Sequence, residues 1–143
     1  MIKKIIFTTI IIISLITLIF AIMIISKDDE KTKMIKSIST TTPKQIEIIK
    51  TGNPVLKKVV TSDEDMKKII SFIQNIKVQK KSNEEIKGWM YSITITNSND
   101  EKHSVTLGMI ANFDTTSYAI DQNVNNEFQG LYDSLDYNEI DPL

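Results

Sequence analysis

Cysteine and arginine are both absent from this chain of 143 residues, which has a single histidine and a single tryptophan. Without cysteine there is no disulfide, no thiolate nucleophile, no zinc–thiolate site and no lipid attached through a cysteine. All 17 basic residues are lysine, which together with abundant isoleucine and scarce alanine is typical of an AT-rich bacterial genome. The 15 lysines after residue 26 face 18 acidic residues. An acidic chain without arginine binds nucleic acid poorly, so we predict no nucleic-acid partner.

One long apolar run stands near the N-terminus. From Ile5 to Ile25 there are 21 residues and no charge, enough for a helix to cross a hydrocarbon core about 30 Å thick. A cleaved signal peptide is the alternative, but its apolar region is usually about 7–15 residues, and positions 24–27 lack the small-residue cleavage pattern. The sequence therefore predicts an uncleaved, single-pass anchor over residues 1–26, in contact with membrane lipid through Ile5 to Ile25.

The lysines around this run give two indications of orientation. Lys3, Lys4 and the very short tail before the run favour a cytoplasmic N-terminus, whereas Lys27 and Lys31 beyond the run favour the opposite. We predict a protein of the cell membrane whose C-terminal domain is extracytoplasmic. A cytoplasm-facing accessory subunit of a membrane complex remains the alternative.

Composition changes again after the run. Residues 27–44 are charged and then rich in serine and threonine, ending near Pro43, and predict a flexible linker. Residues 45–143 predict a small α+β domain. A capping signature at Thr61–Glu64 opens a helix with an apolar stripe, and strict alternation over Trp89–Thr96 is typical of a strand. The predicted order is ββαββββα, a mostly antiparallel sheet with one or two packed helices, preceded by one N-terminal transmembrane helix.

Reactive side chains form no recognisable catalytic set. His103 is followed by Ser104, but neighbouring strand residues point to opposite faces, so these two cannot form a dyad. A hydrolase that uses His103 with distant partners remains a weaker alternative. Asp121-x-Asn123-x-Asn125 begins like a calcium loop but lacks the glycine and the closing glutamate that such loops require. We predict no catalytic residue, no cofactor and no metal.

Aromatic side chains provide the candidate surface. Trp89, Tyr91 and Tyr118 are predicted as a possible ligand or partner surface, because tryptophan and tyrosine are frequent in binding sites. Core packing is the alternative, since Trp89 and Tyr91 share a strand face with isoleucines. The sequence thus predicts a non-enzymatic, membrane-tethered module that binds a protein or a cell-envelope component.

Three short stretches also resemble a known group of proteins. The helix start at Thr61–Asp65, the pattern Gly88-Trp89-x-Tyr91-x-Ile93 and the pattern Ser117-Tyr118-x-Ile120-Asp121 are similar to segments of small membrane-anchored proteins of low-GC Gram-positive bacteria. The resemblance covers most of residues 46–137. It implies an anchored domain and no particular activity, and it transfers no site residue.

Overall fold

The computed structural model describes residues 29–83 and 87–142. They form an α+β domain. In chain order its elements are α1 (Glu30–Thr40), β1 (Pro43–Lys50), β2 (Leu56–Val60), α2 (Asp63–Asn75), β3 (Val78–Ser82), β4 (Tyr91–Asn97), β5 (Lys102–Leu107), β6 (Ile110–Phe113), β7 (Thr116–Ile120) and α3 (Asn123–Ser134). The predicted membrane helix lies outside the described residues. Within those residues, no helix is both long and apolar enough to cross a bilayer.

A single sheet organises the domain. Its seven strands stand in the order β2-β1-β4-β5-β6-β7-β3, and every neighbouring pair is antiparallel. The α+β class and the antiparallel sheet are therefore confirmed, whereas the order ββαββββα lacked one helix and one strand. The missing strand is β3, which lies in a polar stretch and is held at the sheet edge by its pairing with β7.

The hydrophobic core lies between one face of the sheet and the three described helices. Side chains along each strand alternate, so that Ile48, Ile93, Val105 and Phe113 form one buried row across four neighbouring strands. The buried stripes of all three helices join the same cluster. The opposite face carries half-buried polar residues, mainly serine and threonine.

Helix α2 begins one residue later than its sequence signature suggests. Ser62 is the N-cap, and its hydroxyl accepts the backbone N–H of Asp65 at 3.5 Å. The Tyr137 hydroxyl accepts the Ser62 backbone N–H at 3.1 Å and donates to the Asp65 carboxylate at 3.2 Å. The C-terminal segment thereby fixes the start of the helix.

The structure corrects the predicted flexible linker over residues 27–44. Residues 30–40 form α1, and β1 already begins at Pro43. Met34 and Ile38, four residues apart and hence on one helix face, are 2% and 3% exposed and belong to the core. Hydroxyls in the last turn bond to the helix's own carbonyls, as Ser39 does to Ile35 at 2.7 Å. A serine- and threonine-rich segment can therefore stay helical here.

Candidate functional site

Two of the three aromatic residues predicted as a surface belong to the core. Tyr91 is 0% exposed, its ring packs edge-on against Phe128 at 4.8 Å, and its hydroxyl donates to Gln129. Burial is also the main reason why the pKa of Tyr91 is raised. A side chain without exposed area cannot contact a partner, so Tyr91 does not form part of a binding surface.

Tyr118 is buried in the same way, at 2% exposure. Its ring packs edge-on against Phe113 at 5.7 Å and its hydroxyl donates to Asp29. Burial first, and the Asp29 carboxylate second, raise the pKa of Tyr118 to about 12. The prediction of a Trp89–Tyr91–Tyr118 surface is therefore wrong for its two tyrosines, because the alternation that marked a strand also turned them inward.

Trp89, the third member, is half-buried at one end of the sheet. Two exposed methionines lie beside it: Met90 is 43% exposed, and Met109, in the turn between β5 and β6, is 71% exposed. We call Trp89, Met90 and Met109 the Trp89 patch. Among large hydrophobic side chains of the described residues, the only other exposed one is Ile140, at 45%.

Backbone contacts hold the Trp89 patch together. The Met90 N–H donates to the Leu107 carbonyl at 2.7 Å, so the chain before β4 runs beside the end of β5. Gly108 permits this approach, since a Cβ there would lie 2.9 Å from the Trp89 Cα. From α3, the Asn125 side chain donates to the Gly108 carbonyl at 2.8 Å. The backbone at Trp89 and Met90 is thus fixed beside Gly108, the residue before Met109.

A second cluster surrounds His103, which is 8% exposed. Its Nδ1 lies 2.9 Å from Asp114 Oδ2 and its Nε2 lies 3.0 Å from Ser37 Oγ. The other Asp114 oxygen accepts the Ser104 backbone N–H at 2.7 Å, which fixes the carboxylate. Ser37 and Asp114, which are 66 and 11 positions from His103 along the chain, thus form a Ser37–His103–Asp114 array with it. The sequence patterns did not reveal this array.

This array has the hydroxyl–imidazole–carboxylate connectivity of a serine hydrolase. Its surroundings differ from such a site in two respects. Glu101 Oε2 lies 3.4 Å from Ser37 Oγ, so a negative charge stands next to the position where an oxyanion would develop. Ser37 also lies within α1, where backbone N–H groups bond along the helix rather than to a ligand. The helix backbone at Ser37 therefore does not supply the converging N–H donors that stabilise an oxyanion in acyl transfer.

The same contacts have a structural consequence. Ser37 belongs to α1, whereas His103 and Asp114 belong to β5 and the turn after β6. Their hydrogen bonds therefore join the first helix to the middle of the sheet. We infer that the array positions α1, a role that a partly buried network of this kind performs well.

A cleft of about 280 Å³ lies between the end of α2 and the start of α3. Asp121 and Asn123, which began the calcium-like pattern, are on its wall, but Asp121 Oδ1 accepts the Asn123 backbone N–H at 2.8 Å as in an ordinary turn. Asn125 instead points to the Gly108 carbonyl. The three oxygens do not converge as calcium ligands, and the described residues contain no group of three or more metal-ligating side chains.

No family model, curated protein or solved structure matches this chain.

Proposed function

We propose that this protein is a single-pass membrane protein whose folded domain is a non-enzymatic, extracytoplasmic interaction module, and that it binds a partner protein through the Trp89 patch. The patch is the observation that carries the proposal. Met90 follows Trp89 in the chain and Met109 follows Gly108, which approaches the Trp89 backbone, so two of the three exposed large hydrophobic side chains among the described residues stand on neighbouring backbone. Exposed apolar groups that adjoin one another are typical of protein contacts.

The chemistry of the patch indicates a protein partner. Tryptophan is the residue type most enriched among the side chains that dominate binding energy. Methionine is flexible and polarisable, so Met90 and Met109 can adapt to the shape of an apolar partner side chain. Exposed apolar side chains of this kind favour an apolar anchor on the partner.

Tethering supports this role. The 21 uncharged residues from Ile5 to Ile25 are long enough to serve as the anchor. Because α1 starts at Glu30 and packs into the core, the domain begins five residues beyond that run. A module mounted so closely meets partners in or near the same membrane, where a raised local concentration lets a small patch suffice.

A photo-crosslinking amino acid at position 109, in the full chain and its native membrane, tests the proposal. We expect a discrete product with one membrane or envelope protein, and we expect Met90→Glu to abolish that product because a carboxylate would have to be desolvated in the contact. Lys67→Glu, an exposed change on α2, is the matched control and should leave the product intact.

Three results would contradict the proposal. A product that persists in Met90→Glu would place the contact elsewhere, and a product with a second copy of this chain would make the patch a self-association surface. Crosslinking from position 67 as strong as from position 109 would show that contact is not specific to the patch.

A second candidate function is a serine hydrolase that uses Ser37 as nucleophile, His103 as base and Asp114 to orient the imidazole. The hydrogen-bond geometry of the array favours it, and the Glu101 carboxylate opposes it. A fluorophosphonate probe, which labels activated serines, separates the two. The interaction module predicts no labelling, whereas labelling that is lost in Ser37→Ala would establish the hydrolase.

A further inference from the structure

The described chain begins at one edge of the sheet. Asp29 accepts the Tyr118 hydroxyl of β7 and lies 3.9 Å from the Lys81 ammonium of β3, the last strand in the sheet order. Two residues later, Lys31 Nζ donates to the Gln74 carbonyl at 3.2 Å at the end of α2. The start of α1 is therefore fixed beside β3 rather than beside the opposite edge strand, β2.

This position limits the distance between β3 and the membrane. If the proposed anchor ends at Ile25, four peptide units lead to Asp29, and a fully extended chain covers at most about 14 Å over that length. The headgroup layer on each side of the hydrocarbon core is itself about 5–8 Å thick. The β3 edge therefore lies at or just above the headgroups, whichever side of the membrane holds the domain.

The opposite edge of the sheet lies far from β3. Seven strands separated by about 4.8 Å place β2 roughly 29 Å from β3. The C-terminal segment covers the β2 edge, since Lys57 and Ile140 exchange two backbone hydrogen bonds of 2.9 Å. The two edges of the sheet thus differ in both position and covering.

Charge distinguishes the two edges as well. Lys80 and Lys81 on β3, and Lys77 directly before it, are exposed, and β3 itself contains no acidic residue. On β2, Lys58 is buried and Lys57 is half-buried. Edge lysines also discourage edge-to-edge pairing of sheets. That function would suit either edge equally, whereas the exposed lysines are on the edge beside which the described chain begins.

We propose that the domain stands edge-on upon the membrane that anchors it, with β3 resting on anionic phospholipid headgroups and Lys77, Lys80 and Lys81 against their phosphates. The inference rests on the proposed membrane anchor. It requires no particular side of the membrane, because both leaflets of a bacterial membrane contain phosphate. Each lysine near an anionic surface contributes favourably, and the contribution fades within a Debye length.

Because the chain has no cysteine, one introduced cysteine carries the only label, and the orientation can be tested directly. We would reconstitute the full chain in nanodiscs of phosphatidylglycerol and phosphatidylcholine and attach a fluorophore at Gln79→Cys on β3 or at Ile140→Cys beside β2. Headgroup-quencher lipids should quench the label at position 79 strongly and the label at position 140 little. Equal quenching, or stronger quenching at 140, would overturn the edge-on orientation.

The contribution of charge is measured in the same nanodiscs. With the label at position 79, Lys80→Glu with Lys81→Glu should cut quenching by roughly half or more, and about 1 M salt should act likewise. Lys67→Glu with Lys102→Glu, which makes the same charge change at exposed positions away from β3, is the control and should change little. Unchanged quenching in the β3 variant would contradict headgroup binding by the lysines.

Failure of the anchor is a separate result. Before labelling, the reconstituted chain is floated on a density gradient after extraction with alkaline carbonate. A chain that stays at the bottom lacks an integral anchor, and the proposed function then fails together with the orientation. A chain that floats but shows equal quenching keeps its anchor and loses only the edge-on orientation.

Discussion

Replacing Ile38 by alanine tests the assignment of α1 to the folded domain. Ile38 is 3% exposed and lies in the same cluster as the sheet interior. If residues 30–40 were a linker, shortening this side chain would remove no buried contact. If they form α1, the change leaves a space between the helix and the sheet.

The expected loss can be estimated from the burial. Truncating a buried isoleucine to alanine costs about 2–5 kcal/mol, depending on how far the surroundings close in. Helix α1 is a surface helix fixed at both ends, by Lys31 at α2 and by Ser37 at His103. Those fixed ends limit its collapse onto the sheet, so we expect about 3 kcal/mol, a large part of a total stability of about 5–15 kcal/mol.

The assay uses the only tryptophan. Trp89 is half-buried at the end of the sheet, so its fluorescence should change when the domain unfolds in urea. The full chain would be measured in detergent micelles, where the anchor remains solvated. Ile38→Ala should lower the unfolding midpoint at an unchanged slope.

A control on the same helix makes the result decisive. Lys36 is exposed on α1, and Lys36→Ala should change the stability by less than about 0.5 kcal/mol. If Ile38→Ala is as mild as Lys36→Ala, then α1 does not contribute to the core and the account of the fold is refuted at this point.

Three further predictions concern other parts of the domain. Lys58 is 6% exposed, and its ammonium donates to two carbonyls at the end of α3, at 3.0 and 2.8 Å. Lys58→Met should therefore lower the free energy of unfolding in urea by about 1–3 kcal/mol. No loss would show that these two hydrogen bonds do not stabilise the domain. Gly108→Ala should lower the free energy of unfolding by about 1–3 kcal/mol, because its Cβ would lie 2.9 Å from the Trp89 backbone. The control is Gly130→Ala, in an exposed helical position with nothing within 4 Å, which should raise the free energy of unfolding by about 0.5–1 kcal/mol. Equal effects of the two changes would contradict the close approach at Gly108. The pKa of Tyr118 is raised to about 12 in the folded state, so its contribution to stability is complete below pH 10 and is lost as the pH rises from 10 to 12. Over that range the stability of Tyr118→Phe should therefore fall less steeply than that of the unchanged protein, by up to about 1.4 kcal/mol per pH unit. Parallel curves of stability against pH would refute the raised pKa.

Periodicity was informative wherever one element carried its own pattern. The strict alternation around Ile93 predicted β4, and the stripe through Met66 and Ile73 predicted α2 with its acidic first turn. These patterns express burial of one face, which sequence shows directly. They also predicted the α+β class and the antiparallel sheet.

Other elements depend on partners distant in the sequence. Helix α1 has only Met34 and Ile38 buried, and the hydroxyl-rich composition around them favoured a linker. Strand β3 has no buried residue and exists through its pairing with β7. Tertiary contacts decide both elements, and local composition does not report such contacts.

The candidate site was predictable only in part. Trp89 was identified from residue type, but only the adjacency of β4 and β5 brings the backbone at Met109, after Gly108, near it. Tyr91 and Tyr118 carry the same chemical signal and lie in the core, because their strand parity places them on the helix side. The contact between His103 and Ser37 joins residues 66 positions apart, which no local spacing rule detects.

We propose that this domain is tethered outside the cytoplasm. A single cysteine at Asn99→Cys, in the exposed turn between β4 and β5, can be labelled with a membrane-impermeant maleimide on intact cells and on permeabilised cells. An extracytoplasmic domain should be labelled on intact cells to the same extent as on permeabilised cells. Labelling only after permeabilisation would contradict it and would place the domain, and the partner of the Trp89 patch, on the cytoplasmic side.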